Sequence, residues 1–275
     1  MEGSAYDPGG GTENMNSISS TSRAAVVIPV LALLLQMAGA VTTSARAQVS
    51  AAEILERTDA NMTIRTARMT ARMSIQYRDG AVRELEFVSW AEGTDHSFLE
   101  FTAPAREAGS RFLRIETSMW IYIPRAGKSV RIQGHMLRQG MMGSDFSYGD
   151  ASENPSLADD YAAAVEGRED LDGRPTFKLF LTAKREDLAY PQRRIWVDAE
   201  RWVPLREERF ARSGKLLKTA SLGDVRQIAG RWYPFRVEMD NALQTDTRTV
   251  LQILEFALDV ELPADIFTLR QLEGG

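Results

Sequence analysis

The sequence predicts a mainly β protein, antiparallel in arrangement and with few helices. Three observations carry this. Short runs rich in β-branched and aromatic residues alternate apolar and polar positions, as at Met69, Ala71, Met73, Ile75 and Tyr77. Glycine turns recur between them at short intervals, at Asp79-Gly80, Gly93, Ala126-Gly127, Asp172-Gly173, Ser213-Gly214 and Ala229-Gly230. Strands and helices do not alternate, so a parallel sheet of βαβ units is not expected.

The chain opens with a polar, Gly/Ser-rich stretch, followed by the uncharged run Ala24 to Ala40. Arg23 precedes the run, and Ala45-Arg46-Ala47 follows it as an A-x-A site before Gln48. Positive flank, apolar stretch and small-residue site together predict a secretory signal peptide over 1–47, cleaved after Ala47. The competing reading is a retained membrane anchor, but the run is at the short end of the about 20 residues a span requires and Pro29 interrupts it. Starting at Met15 would give a leader of ordinary length. Export implies a periplasmic location and one domain over 48–275.

One helix is expected at the head of this domain. Ser50 is its N-cap with Glu53 three residues on, a capping-box spacing, and Ala51, Ile54, Leu55 and Thr58 share a face ending near Asn61. Strands then follow over 69–77, 82–90, 98–101, 111–115, 119–123 and 128–132. After an irregular stretch they resume over 161–169, 176–183, 193–198, 202–210, 216–222, 232–239 and 245–257. The exception, 135–160, holds Met136, Met141 and Met142, three glycines and several carboxylates. Long irregular links between strands are often lids or binding loops.

Composition removes several function classes. The chain has no cysteine, so disulfides, thiolate chemistry and Cys-ligated zinc are excluded. The net charge of −5 offers no basic footprint for nucleic acid. His96 and His135 lack partners at metal-ligand spacing, and Gly109-Ser110 and Gly143-Ser144 lack the nucleophile-elbow pattern. Asp145, Asp150, Asp159 and Asp160 miss the calcium-loop spacing and read as a solvated loop face. A paired-carboxylate hydrolase is conceivable, but no pattern favours it. The expectation is a protein that is not an enzyme and uses neither cofactor nor metal.

The aromatic and methionine residues point instead to binding. Trp120 and Tyr122 are two apart on a strand and so share a face, and that strand ends at Pro124, which disfavours a central place in the sheet. Met141, Met142, Phe146 and Tyr148 return after one hairpin. Methionine suits surfaces that must accept varied apolar shapes, although most such clusters are ordinary core. The six residues Trp120, Tyr122, Met141, Met142, Phe146 and Tyr148 are predicted at the mouth of an apolar cavity, with 135–150 as its movable edge. Asp145 and Asp150 are predicted to fix that loop by accepting backbone N–H groups, because an unpaired buried carboxylate is costly.

The block from Pro104 to Asp150 resembles the outer-membrane lipoprotein-sorting (LolA-like) family. The resemblance rests on W-x-Y-x-P at Trp120, Tyr122 and Pro124, on Arg131-Ile132, and on the run Gly143-Ser144-Asp145-Phe146-Ser147-Tyr148-Gly149-Asp150. The segment Leu262-Pro263-Ala264-Asp265-Ile266-Phe267-Thr268 resembles that family's ending. The resemblance implies an incomplete antiparallel barrel, a curved sheet of about eleven strands covered by helices and a loop. It also implies a monomeric periplasmic carrier of lipoprotein acyl chains or another lipid, working between an inner-membrane transporter and an outer-membrane acceptor. A sensor or adaptor of the same fold, reporting lipid or lipoprotein to a membrane protein, is the alternative.

Overall fold

The computed structural model of the protein describes residues 49–153 and 156–274. The predicted leader, its cleavage site and the alternative start lie outside these residues. Helix α1 (Ala51–Met62) begins where the cap predicts, with the Ser50 hydroxyl accepting the Glu53 N–H at 3.1 Å. The reciprocal half of the capping box does not appear, because the Glu53 carboxylate turns to Arg57 one turn on, at 2.5 Å. Ile54, Leu55 and Thr58 are its buried face. Fully burying the first two contributes roughly 1.5–3 kcal/mol each.

Thirteen strands follow among the described residues. A first meander comprises β1 (Thr66–Tyr77), β2 (Val82–Glu92), β3 (His96–Ala103), β4 (Arg111–Ile115), β5 (Ser118–Ile123) and β6 (Lys128–Ile132). A second comprises β7 (Tyr161–Leu171), β8 (Arg174–Ala183), β9 (Gln192–Asp198), β10 (Pro204–Phe210), β11 (Leu216–Ile228), β12 (Arg231–Asn241) and β13 (Gln244–Leu258). All neighbours pair antiparallel, in the order β6-β5-β4-β3-β2-β1-β13-β12-β11-β10-β9-β8-β7. The first and last strands therefore join the two meanders, and β6 and β7 form the two free edges. The sheet is curved and unclosed, as the resemblance implies, with thirteen strands in place of about eleven. Each predicted strand segment corresponds to one of them.

Because β6 and β7 are consecutive in sequence yet lie at opposite edges, the link between them must travel the width of the sheet. That link is the irregular segment. It contains two short 3-10 turns (Gly134–Arg138 and Met141–Gly143), helix α2 (Tyr148–Ser152) and helix α3 (Leu157–Asp160). It crosses one face, here called inner, which α1 also covers.

The register identifies that face. Val165, Leu179, Ile195, Glu207, Ala220, Met239, Thr249 and Ile75 stand directly opposite one another across eight successive strands. Directly opposed residues share a face. The inner core has two apolar parts. One, on β1 to β6, contains Met73, Ile75, Leu85, Phe87, Phe101, Phe112 and Ile121. The other packs α1 on Phe177, Leu179, Leu181, Ile195 and Val197. A third cluster lies on the outer face of β3 to β5, where helix α4 (Leu269–Glu273) and Ile266 cover Phe98 and Leu113. Among the described residues no helix is long and apolar enough to cross a membrane.

Candidate functional site

The inner face under the linking segment is the candidate site. Residues 139–148 form a compact loop that closes on itself. The Met141 N–H donates to the Phe146 carbonyl at 2.7 Å, and the Tyr148 N–H to the Gln139 carbonyl at 3.1 Å. The Ser144 hydroxyl donates to the Met141 carbonyl at 2.7 Å. Gly140 is required by this closure, since a Cβ there would stand 2.3 Å from the Ser144 carbonyl oxygen. The loop directs Met141 into the apolar cluster of β1 to β6, with Met142, Phe146 and Tyr148 packed against it and the Tyr148 ring 5.7 Å from that of Phe112.

Two carboxylates fasten this segment. Asp145 is buried and meets the centre of the sheet. Its Oδ2 accepts the Thr249 hydroxyl at 2.6 Å, its Oδ1 accepts the Thr247 hydroxyl at 2.9 Å, and its own N–H donates back to Thr249 Oγ1 at 2.9 Å. The partners of its carboxylate are thus threonine hydroxyls on β13, where backbone N–H groups are expected from the sequence. Asp150 completes a capping box at α2, accepting the Ser147 N–H at 2.6 Å while its own N–H donates to the Ser147 hydroxyl. It also accepts from the Tyr190 hydroxyl at 2.6 Å and from Arg209 at 2.5 Å, and pairs with Lys218.

These contacts open onto a buried charged group that the sequence reading did not single out. Arg193 on β9, Arg209 on β10 and Lys218 on β11 stand directly opposite one another. Arg193 pairs with Glu207 at 3.1 Å and with Glu153, and Arg209 pairs with Glu207 at 2.9 Å. The Arg193 guanidinium lies over the Tyr161 and Tyr190 rings. Three cations and three carboxylates (Asp150, Glu153 and Glu207) balance. Burial alone raises a carboxyl, but the Arg209 and Lys218 charges overcome this and hold Asp150 well below the usual carboxylate range. Glu207 is likewise lowered against its burial by Arg209 and Arg193. Burial pushes the Tyr161 hydroxyl up to about 12 and raises Tyr190 still further, helped there by the Asp150 charge.

The six predicted residues do not form one cluster. Trp120 and Tyr122 do share a face, but it is the outer one, beside Phe98, Leu113 and Leu272. Met119 and Ile121, between and before them, point inward to the cluster that receives Met141. The strand Ser118–Ile123 is apolar on both faces, so alternation cannot say which side meets the loop. Met141, Met142, Phe146 and Tyr148 are brought together on the inner face. There they lie on the apolar surface itself, filling it. Cavities of about 250 Å³ beside Arg106 and Pro124, and about 290 Å³ between Met62 and Thr94, do not include any of the six in their linings. His135 is exposed, and among the described residues no group of three His, Asp or Glu side chains is placed to hold a metal.

A family model described as uncharacterized protein-like matches residues 93–274. No curated protein matches the chain. Among solved structures, a DUF1329 family protein from Desulfovibrio piger superposes with a TM-score of 0.75 at 23% identity, covering 80% of this chain and 97% of that one. A domain from Vibrio parahaemolyticus, provisionally assigned as an outer membrane lipoprotein-sorting protein, gives 0.72 at 23% identity, over 81% and 98%. A LolA superfamily protein from Nitrosomonas europaea gives 0.68 at 24% identity, over 82% and 100%. At these identities the likeness is one of fold. The chain therefore belongs to the family whose model spans residues 93–274, and its architecture is that of the LolA-like proteins.

Proposed function

We propose that this protein is a non-enzymatic carrier, exported to the periplasm, which takes up a lipoprotein acyl chain or another lipid on its inner face and moves it toward the outer membrane. One observation carries the reading. The apolar inner face of β1 to β6 is covered by an irregular, methionine-rich segment that joins the two sheet edges. Displacing that segment uncovers the apolar face of β1 to β6 and leaves the pairing of the sheet strands intact. An inner-membrane transporter and an outer-membrane acceptor are the partners this function requires.

The energetics are compatible with loading and release. Burying an acyl chain of about sixteen carbons gains on the order of 10 kcal/mol, at about 0.8 kcal/mol per CH₂. Lifting the segment gives up the packing of Met141 and the contacts of Asp145 and Asp150. Breaking a buried ion pair alone costs about 3–5 kcal/mol. The remainder is modest, as a carrier that must release its load requires.

The test is titration of the purified protein with a fluorescent acyl probe. Met69→Asp and Leu99→Asp, partly buried on the sheet that the segment covers, are expected to weaken binding at least about tenfold, since 1.4 kcal/mol already corresponds to that factor. Trp120→Ala, on the outer face, is expected to bind like the parent. Folded inner-face variants that bind as tightly as the parent would overturn the assignment.

A further inference from the structure

The row formed by Arg193, Arg209 and Lys218 is an expensive arrangement. Like charges directly opposite one another in a sheet repel. Here all three are buried on the inner face, at 5%, 9% and 6% exposure. The carboxylates that balance them come from two places. Glu207 is on β10, in the sheet itself, whereas Asp150 and Glu153 belong to α2 and its C-terminal cap on the linking segment. When α2 leaves, three cations face one carboxylate, and two positive charges are uncompensated.

Their surroundings are those of a headgroup site. Along the same face, Leu181 continues the row on β8, and Ile195, Ala220 and Met239 lie in the adjacent row with Glu207. The closed state also leaves capacity unused. The Nε atoms of Arg193 and of Arg209 are buried without an acceptor, and Oε1 of Glu153 and of Glu207 lack a well-formed hydrogen bond. Buried guanidinium donors normally find partners, and a planar guanidinium matches phosphate oxygens two at a time.

We propose that Arg193, Arg209 and Lys218 receive the anionic headgroup of the cargo, best fitted by a phosphate, and that Asp150 and Glu153 occupy its place in the closed state. This rests on the carrier reading and narrows it to anionic amphiphiles. A phosphate monoester carries about −1.5 to −2 charges near neutral pH, which matches the two charges released. Loading is then an exchange of anions: the incoming phosphate replaces α2, and the apolar chain replaces the methionine loop beside it.

The experiment compares two fluorescent probes of identical acyl chain, one ending in phosphate and one in hydroxyl, together with inorganic phosphate alone. The phosphate probe is expected to bind at least about tenfold tighter than the hydroxyl probe, with the gap shrinking as salt is raised. Lys218→Met should narrow the gap by weakening only the phosphate probe. If that variant is poorly folded by circular dichroism, the double variant Lys218→Met with Asp150→Asn removes one charge of each sign and serves instead. Equal binding of both probes overturns the headgroup assignment and leaves the carrier reading standing. Binding of neither overturns both. Inorganic phosphate binding as tightly as the acyl phosphate overturns the headgroup assignment in favour of a free anion.

Discussion

Removing the Asp150 carboxylate tests the buried charge group directly. In Asp150→Ala the Tyr190 hydroxyl, the Ser147 N–H and hydroxyl, Arg209 and Lys218 all lose an acceptor. The loss is graded by what each retains. Arg209 keeps Glu207 at 2.9 Å and Glu153 at 3.7 Å, while Lys218 keeps the Asp145 carbonyl at 2.8 Å. Breaking a buried pair from one side costs about 3–5 kcal/mol. The remaining partners place this substitution toward the lower end, with the loss of the reciprocal half of the capping box at Ser147 adding to it. Equilibrium urea unfolding, followed by circular dichroism, should therefore show a loss of about 3–4 kcal/mol. Adding Lys218→Met should recover part of it, since contacting residues show coupling of about 0.5–3 kcal/mol. A single-variant loss below about 1 kcal/mol would be the behaviour of a solvent-exposed pair. That result, or strict additivity in the double variant, would refute the description of the group as buried and coupled.

The same group sets the pH range of stability. Asp150 and Glu207 have folded values below their unfolded ones, so their contribution is present above about pH 4 and is lost as pH falls further. Tyr161 and Tyr190 have folded values above the unfolded value of about 10, so theirs is complete below that pH and is lost as pH rises past it. Urea midpoints measured across pH should form a plateau falling on both sides, and an unchanged midpoint from pH 5 to pH 3 would contradict the acid limb. Gly140→Ala forces a Cβ against the Ser144 carbonyl oxygen and should raise proteolytic nicking within 139–148, by an opening costing about 1–3 kcal/mol less than in the parent; an unchanged digestion pattern would count against the loop closure. N-terminal sequencing of the exported protein should begin at Gln48, and recovery of a chain retaining Leu31 to Leu35 in the inner membrane would end the periplasmic reading.

Much of the fold is written in local signals. The Asp79-Gly80, Asp172-Gly173, Ser213-Gly214 and Ala229-Gly230 turns each fall between paired strands, because the hairpin turn needs the positive φ that these glycines adopt. The cap at Ser50 marks the start of α1 within a residue. The candidate site is less legible, for two reasons. The strand carrying Trp120 is apolar on both sides, so period-two alternation could not assign a face. The charges of β9 to β11 look like a solvated surface when each strand is read alone. Alternation did hold a clue: Arg193 lies two residues before Ile195, and so shares the face of Ile195 and Val197, while Glu207 and Arg209 are two apart. Missing from the sequence was the register that sets Arg193, Arg209 and Lys218 side by side. The capping-box spacing of Ser147 and Asp150 was also readable, but not the three further donors that converge on the same carboxylate.

The joining of the two meanders through β1 and β13 bears on how the chain is made. Ala67 pairs with Leu258 and Tyr77 with Thr247, so β1 waits for nearly the whole sequence before its second neighbour exists. As the chain emerges from synthesis, the first six strands can assemble through short hairpins, while one side of β1 stays an open row of amide and carbonyl groups. An unpaired strand edge recruits foreign strands, and the interval lasts as long as residues 78 to 258 take to appear, at about 5–20 residues per second. For the export proposed above, this makes an extended, chaperone-held precursor the safer state in which to travel. The closing of the sheet's central seam then becomes the step at which the molecule first acquires its inner face.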